Sequence, residues 1–144
     1  MATDTQSRMD LGASLVRLWF LLYFGLMGFG PAGMLLFVLV TEVMRGRSTG
    51  LGDAAVMTLI LLYAFFHISA FVQVLRRASW AWTFAVIVIT FDLVLHGAIV
   101  LIALHPARVD LAQKIFLLTC PMFSLVLLGI PGVRPMLGSR MRAV

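Results

Sequence analysis

A chain of 144 residues that is 62% hydrophobic and 12% charged, with a mean hydropathy of +1.06, carries more apolar surface than a soluble fold of this size can hide. A bilayer accepts it, because about 20 apolar residues of helix cross the hydrocarbon core. The formal net charge of +5 sits between and beside the apolar runs, not in one patch with interleaved aromatics. Its natural partners are lipid phosphates and its natural use is topology, so no nucleic-acid role is expected.

The first fourteen residues form a short polar segment. The apolar run after it is too long for a signal peptide and lacks a small-residue cleavage pattern, so it reads as a retained span at about 15–41. Between Arg17 and Glu42 lie 24 uncharged residues, enough to cross with some tilt. Trp19 and Tyr23 near its start are expected at the membrane interface. Gly25, Gly28, Gly30, Pro31 and Gly33 crowd its middle. Pro31 lacks an N–H and crowds the Met27 carbonyl, which predicts a kink. The glycines suit close helix packing, with Gly28 and Ala32 at small-xxx-small spacing, or else a break that lines a cavity.

Arg45 to Asp53 is a loop of turn-forming residues, with Asp53 expected to cap the next helix. It has no phosphate-loop pattern. The second span, 54–75, carries Tyr63 and His67 four residues apart on one face and stops at Arg76 and Arg77. The turn that follows is so short that the third span, 79–104, must return antiparallel to the second. Trp80 and Trp82 mark its entry, and His105-Pro106 its far end. Asp110 and Gln113 have capping-box spacing ahead of the fourth span, 111–130, in which Pro121 predicts a second kink. Residues 134–144 form a basic tail expected to fray along the headgroups.

The predicted fold is therefore an all-α integral membrane protein, an antiparallel bundle of four transmembrane helices with short loops spread over 15–133. Four spans put both termini on one side. Arg8, Arg17, Arg76, Arg77, Arg134, Arg140 and Arg142 fall there, against Arg45, Arg47, Arg108 and Lys114 on the other. The positive-inside rule then places both termini in the cytoplasm and the protein in the cell membrane.

The third span carries Asp92 near its midpoint and His96 one turn later. A charge at the bilayer centre costs about 3 kcal/mol by insertion scales, so Asp92 must be protonated, paired or facing water. Depth counting along the spans groups Asp92, His96, His67 and Tyr63 into one polar seam, with Thr119, Cys120 and Ser124 at similar depth on the fourth span. This seam is either a proton or solute site, with imidazole as the partner that gives or takes a proton, or a hydrogen-bonded cluster that fixes helix register.

Cys120, the sole cysteine, excludes an intrachain disulfide or thiolate cluster and reads as a small buried residue. A haem bridged by His67 and His96 is disfavoured by a depth difference of about ten ångström. A metal at His67, His96 and Asp92 has suitable donors, but an i, i+4 pair arises easily by chance. No cofactor is expected. No metalloprotease, dithiol or serine-nucleophile motif is present, so an enzyme is the less expected class. The leading expectation is a small accessory or scaffold subunit, with membrane lipids and other membrane subunits or further copies of itself as partners. The alternative is a small oligomeric transporter or proton-coupled permease that uses the seam.

Overall fold

The computed structural model describes residues 2–46, 50–102 and 111–138. Within them the chain forms α1 (Ala2–Met44), α2 (Leu51–Leu75), α3 (Ala81–Ile102), α4 (Leu111–Gly129) and a short α5 (Val133–Leu137). No strand occurs among the described residues. Leu11–Met44, Gly52–Leu75 and Ala81–Leu101 are long and apolar enough to cross a membrane, and Leu117–Gly129 is a shorter apolar helix. Long apolar helices suit a bilayer because each satisfies its own backbone hydrogen bonds. The His105-Pro106 end of the third span, the Asp110 cap, and Arg47, Arg108, Arg140 and Arg142 lie outside the described residues.

The buried residues form helical stripes. They recur at Ala64, His67, Ala70 and Val74 on α2, and at Ala81, Ala85, Val88, Ile89, Asp92 and His96 on α3. Steps of three and four keep each set on one face. Phe20, Tyr23 and Phe24 of α1 and Leu128 of α4 join them in one core. That core lies towards the end of the bundle that holds the Arg76-Arg77 turn. At the opposite end, α1 and α2 flank a crevice of about 840 Å³ between Leu35, Val38 and Glu42 on one side and Asp53, Val56 and Met57 on the other.

α1 is longer than the span read from sequence, since its helix already begins at Ala2, inside the segment read as a polar lead-in. It continues through Pro31, as α4 does through Pro121, so neither proline ends its helix. The glycine cluster separates into two groups. A Cβ on Gly28 would come within 2.9 Å of Ile68 Cγ1 and 3.1 Å of His67 Cβ, and one on Gly25 would lie 3.6 Å from the Phe71 ring. Gly30 and Gly33 meet nothing within 4 Å. Close packing therefore accounts for Gly25 and Gly28, and leaves Gly30 and Gly33 facing outward from the bundle.

The helix ends follow local chemistry. α2 stops in a Schellman motif: Ala78 N–H donates to Gln73 O, and Arg77 N–H to Val74 O, with Arg77 at φ 53° where glycine is usual. Arg17 reaches across from α1 and donates from Nε to Val74 O (3.3 Å) and from Nη2 to Leu75 O (2.6 Å). Val74 O already accepts from the Arg77 N–H and takes Arg17 as a further donor, Leu75 O lies in the last turn where helical donors run out, and the helix C-terminus favours a cation. Arg17→Met is expected to lower the unfolding free energy by about 1 kcal/mol, measured by thermal melting in detergent. A loss below about 0.3 kcal/mol would show that solvent replaces both bonds without cost.

Two sequence expectations are corrected here. Asp53 is not the cap of α2 but its third residue: its carboxylate accepts from the N–H of Gly50, which holds the cap position (3.1 Å). The tail does not fray where it is described. Val133 and Leu137 of α5 are buried in the core, and Gly138 sits so close to the α2–α3 turn that a Cβ would meet Ala78 O at 2.9 Å. Arg134 lies 5.2 Å from the Trp82 ring centroid, a cation over an aromatic face. The basic residue is spent on packing α5 against α3.

Candidate functional site: a buried Tyr–His–Asp cluster

Asp92 and His67 are both fully buried and face one another from adjacent antiparallel helices, with His67 Nε2 2.7 Å from Asp92 Oδ2. His67 Nδ1 lies 2.9 Å from the carbonyl of Tyr63, one turn earlier on α2. A carbonyl only accepts, so Nδ1 must carry hydrogen and donate; the tautomer follows from the network. The remaining bond then holds one proton between Nε2 and Oδ2. Either an imidazolium donates to a carboxylate, or a carboxylic acid donates to a neutral imidazole. Both arrangements leave the pair with zero net charge, which resolves the problem Asp92 poses in an apolar span.

A third helix completes the cluster. Tyr23 Oη donates to the same Asp92 Oδ2 at 2.6 Å. The sequence reading placed Tyr23 at the membrane interface, but it is core. Phe20, Phe24 and Gly28 recur every four residues along α1, and Tyr23 stands at the edge of that face. Gly28 lets α1 approach α2 beside His67, and the same approach brings Tyr23 within reach of α3. The four-residue spacing was the available signal. The missing information was which face of α1 turned inward.

The register that sets His67 against Asp92 sets Tyr63 against His96 one turn further from the Arg76-Arg77 end. The Tyr63 ring lies 4.2 Å from that of His67 and 6.4 Å, edge-on, from that of His96. Tyr63 Oη, His96 Nδ1 and the second Asp92 oxygen, Oδ1, are buried and lack a well-formed hydrogen bond among the described residues, although the Tyr63 hydroxyl lies near enough to Asp92 to interact with it. Tyr63 and His96 also line a recess of about 410 Å³ with Met27, Pro31, Leu59 and Leu117, so all four long helices contribute. On the other side of the pair, Phe20, Phe24 and Ile89 are fully buried and close the bundle.

All four expected seam residues thus lie together, but with unequal roles. Asp92 and His67 bond directly, Tyr63 contributes its backbone carbonyl, and His96 stacks nearby. The polar residues of α4 do not join as expected. Ser124 accepts from Trp19 Nε1 (3.0 Å) and donates to Cys120 O (2.8 Å), Cys120 is half-buried, and Thr119 is exposed. The indole of Trp19 therefore ties α1 to α4, not to an interface. Trp82 Nε1 likewise donates to Leu128 O near the end of α4 (3.2 Å), while Trp80 is exposed. No group of three or more His, Cys, Asp or Glu side chains suited to a metal occurs among the described residues. Both His67 nitrogens are engaged, so ligating an iron or other metal through His67 would first require breaking one of its bonds.

Tyr23→Phe removes one donor from a carboxyl oxygen that keeps His67. It is expected to cost about 1 kcal/mol in detergent-solubilised protein. Hydrogen-bond loss is the cause if Tyr23→Phe and Tyr23→Leu differ; equal losses from both would assign the effect to ring packing instead.

These features define a class: a small all-helical protein with three helices able to cross a membrane and a charge-neutral Tyr–His–Asp cluster buried between them. Compared with known proteins, the chain matches no family model, no curated sequence and no solved structure at a significant level.

Proposed function

We propose that the chain is a four-span membrane protein with cytoplasmic termini that serves as a small accessory or scaffold subunit of a larger membrane assembly. The observation that supports this reading is the internal use of its intramembrane polar groups. The Asp92 carboxyl spends Oδ2 on His67 and Tyr23 and is fully buried, as a residue that fixes helix register would be. The outward faces are apolar, with Leu26, Met34, Phe37, Leu59, Val94 and Leu101 all exposed, and are free to meet lipid or partner helices. Purification in mild detergent followed by identification of co-purifying membrane proteins tests this. A stoichiometric partner retained by the native chain is the expected result. A chain that purifies alone and moves a solute after reconstitution would overturn it.

A second reading is a small oligomeric transporter or proton-coupled permease. It is favoured by the recess that Tyr63 and His96 line on the side away from the closed core, since Tyr63 Oη and His96 Nδ1 lack a well-formed hydrogen bond among the described residues. This reading requires Asp92→Asn to abolish flux while leaving assembly intact. The scaffold reading requires no flux to lose.

A further inference from the structure

We propose that the crevice beside the Arg76-Arg77 turn, rimmed by Arg17 and Arg77 and walled by Leu18, Leu21, Leu75 and Met136, seats the phosphate of one anionic phospholipid. The site deepens the membrane reading given above and depends on it. The crevice measures about 810 Å³ and lies where α1, the end of α2 and α5 meet. Exposed Trp80 lies just beyond the turn, where an amphipathic ring marks the headgroup level.

Three observations converge on a phosphate. First, Arg17 and Arg77 line the same crevice as like charges, and among the described residues neither forms an ion pair with a carboxylate. Two neighbouring cations are relieved by an anion between them, and a guanidinium fork matches phosphate oxygens. Second, Arg17 is held in place: two of its five N–H groups donate to Val74 O and Leu75 O, which leaves three for a ligand from a fixed position. Third, Arg77 takes the left-handed conformation at φ 53°, where glycine would suit the turn better, so the position carries an arginine at a backbone cost. Arg76, its neighbour, does not line the crevice. The walls fit the rest of the ligand. Leu18 and Leu75 are half exposed along the helices and can carry the start of an acyl chain. A free inorganic phosphate would use the arginines but not this apolar wall.

The test uses the full chain reconstituted in phosphatidylcholine vesicles with a minor fraction of phosphatidylglycerol, then extracted in mild detergent, with retained lipid read by native mass spectrometry. One phosphatidylglycerol per chain, enriched over phosphatidylcholine, is expected. Arg77→Gln should reduce its retention about tenfold, the scale of one charge-assisted hydrogen bond, and Arg76→Gln should leave it nearly unchanged. Arg77→Gly, which relaxes the turn, should match Arg77→Gln and so separates lost binding from lost folding. Equal losses at positions 76 and 77 would overturn the site in favour of diffuse surface attraction. Displacement of the lipid by millimolar inorganic phosphate would overturn the lipid and leave an anion site. Absence of any lipid preference in properly inserted protein would overturn the proposal alone, whereas failure to insert into vesicles would overturn the membrane reading itself.

Discussion

Replacing His67 with alanine should destabilise the bundle by about 3 kcal/mol, the cost typical of breaking a buried ion pair from one side. The loss should be visible as a lower midpoint of thermal unfolding in detergent. The reason lies in what is left behind. Asp92 is fully buried and, without His67, keeps Tyr23 as its one hydrogen-bond donor on Oδ2 among the described residues, which offer Oδ1 no well-formed bond. The carboxyl must then take up a proton or draw in water, and the Tyr63 carbonyl loses the Nδ1 donor. A companion variant decides the mechanism. Combining Tyr23→Phe, His67→Leu and Asp92→Val removes every member of the network and fills the space with apolar groups. Such exchanges are often neutral or stabilising, so the triple variant should recover at least half of the loss. If it melts no higher than His67→Ala, the cluster contributes through its own attraction and not merely by avoiding an unpaired group. The triple variant also separates the two functional readings: a scaffold should still recover its partner, and a permease should be silent.

Enlarging Gly28 should have the second largest effect. Gly28→Leu must place its Cβ near 2.9 Å from Ile68 Cγ1, closer than real Cβ atoms come, and 3.0 Å from the Ile68 backbone nitrogen, at the tight limit of real contacts. The side chain of Ile68 can shift, but the α2 backbone cannot do so alone. α1 and α2 must therefore separate beside His67, which also draws Tyr23 away from Asp92. A loss of about 2 kcal/mol is expected from overpacking with the weakened bond. Gly30→Leu and Gly33→Leu, which meet nothing within 4 Å, should change the unfolding free energy by less than about 0.5 kcal/mol. Equal effects at all three positions would mean that helix propensity or detergent contact, not helix approach, controls stability. If Gly30→Leu or Gly33→Leu keeps the melting midpoint but abolishes partner recovery, the outward glycine face is where the partner docks.

Arg17 shows how a charge inside an apolar run is made tolerable without an acidic partner. Its guanidinium donates to two carbonyls at the end of α2 and so ties α1 to α2. Arg134 does similar work through the Trp82 ring. Basic residues counted for orientation in the sequence reading are thus also pieces of tertiary structure.

By itself the sequence determined the elements that depend on local composition. Uninterrupted apolar runs bounded by the glycine-rich loop before α2 and by Arg76 and Arg77 predicted α2 to within three residues and the start of α3 to within two, because helix length in an apolar medium follows from the run of residues that need no water. The antiparallel pairing of α2 and α3 was also legible, since so short a turn allows little else, and with it the meeting of His67, Asp92, Tyr63 and His96. Only the tertiary structure decided which face of α1 turned inward. That choice depends on close approach at Gly28, a contact between residues forty apart in sequence, and it converts Tyr23 and Trp19 from expected interface rings into donors to Asp92 and Ser124. The docking of α5 was likewise invisible in the tail's basic composition, because Val133 and Leu137 are too few to make a pattern until the core shaped by the other helices is present to receive them.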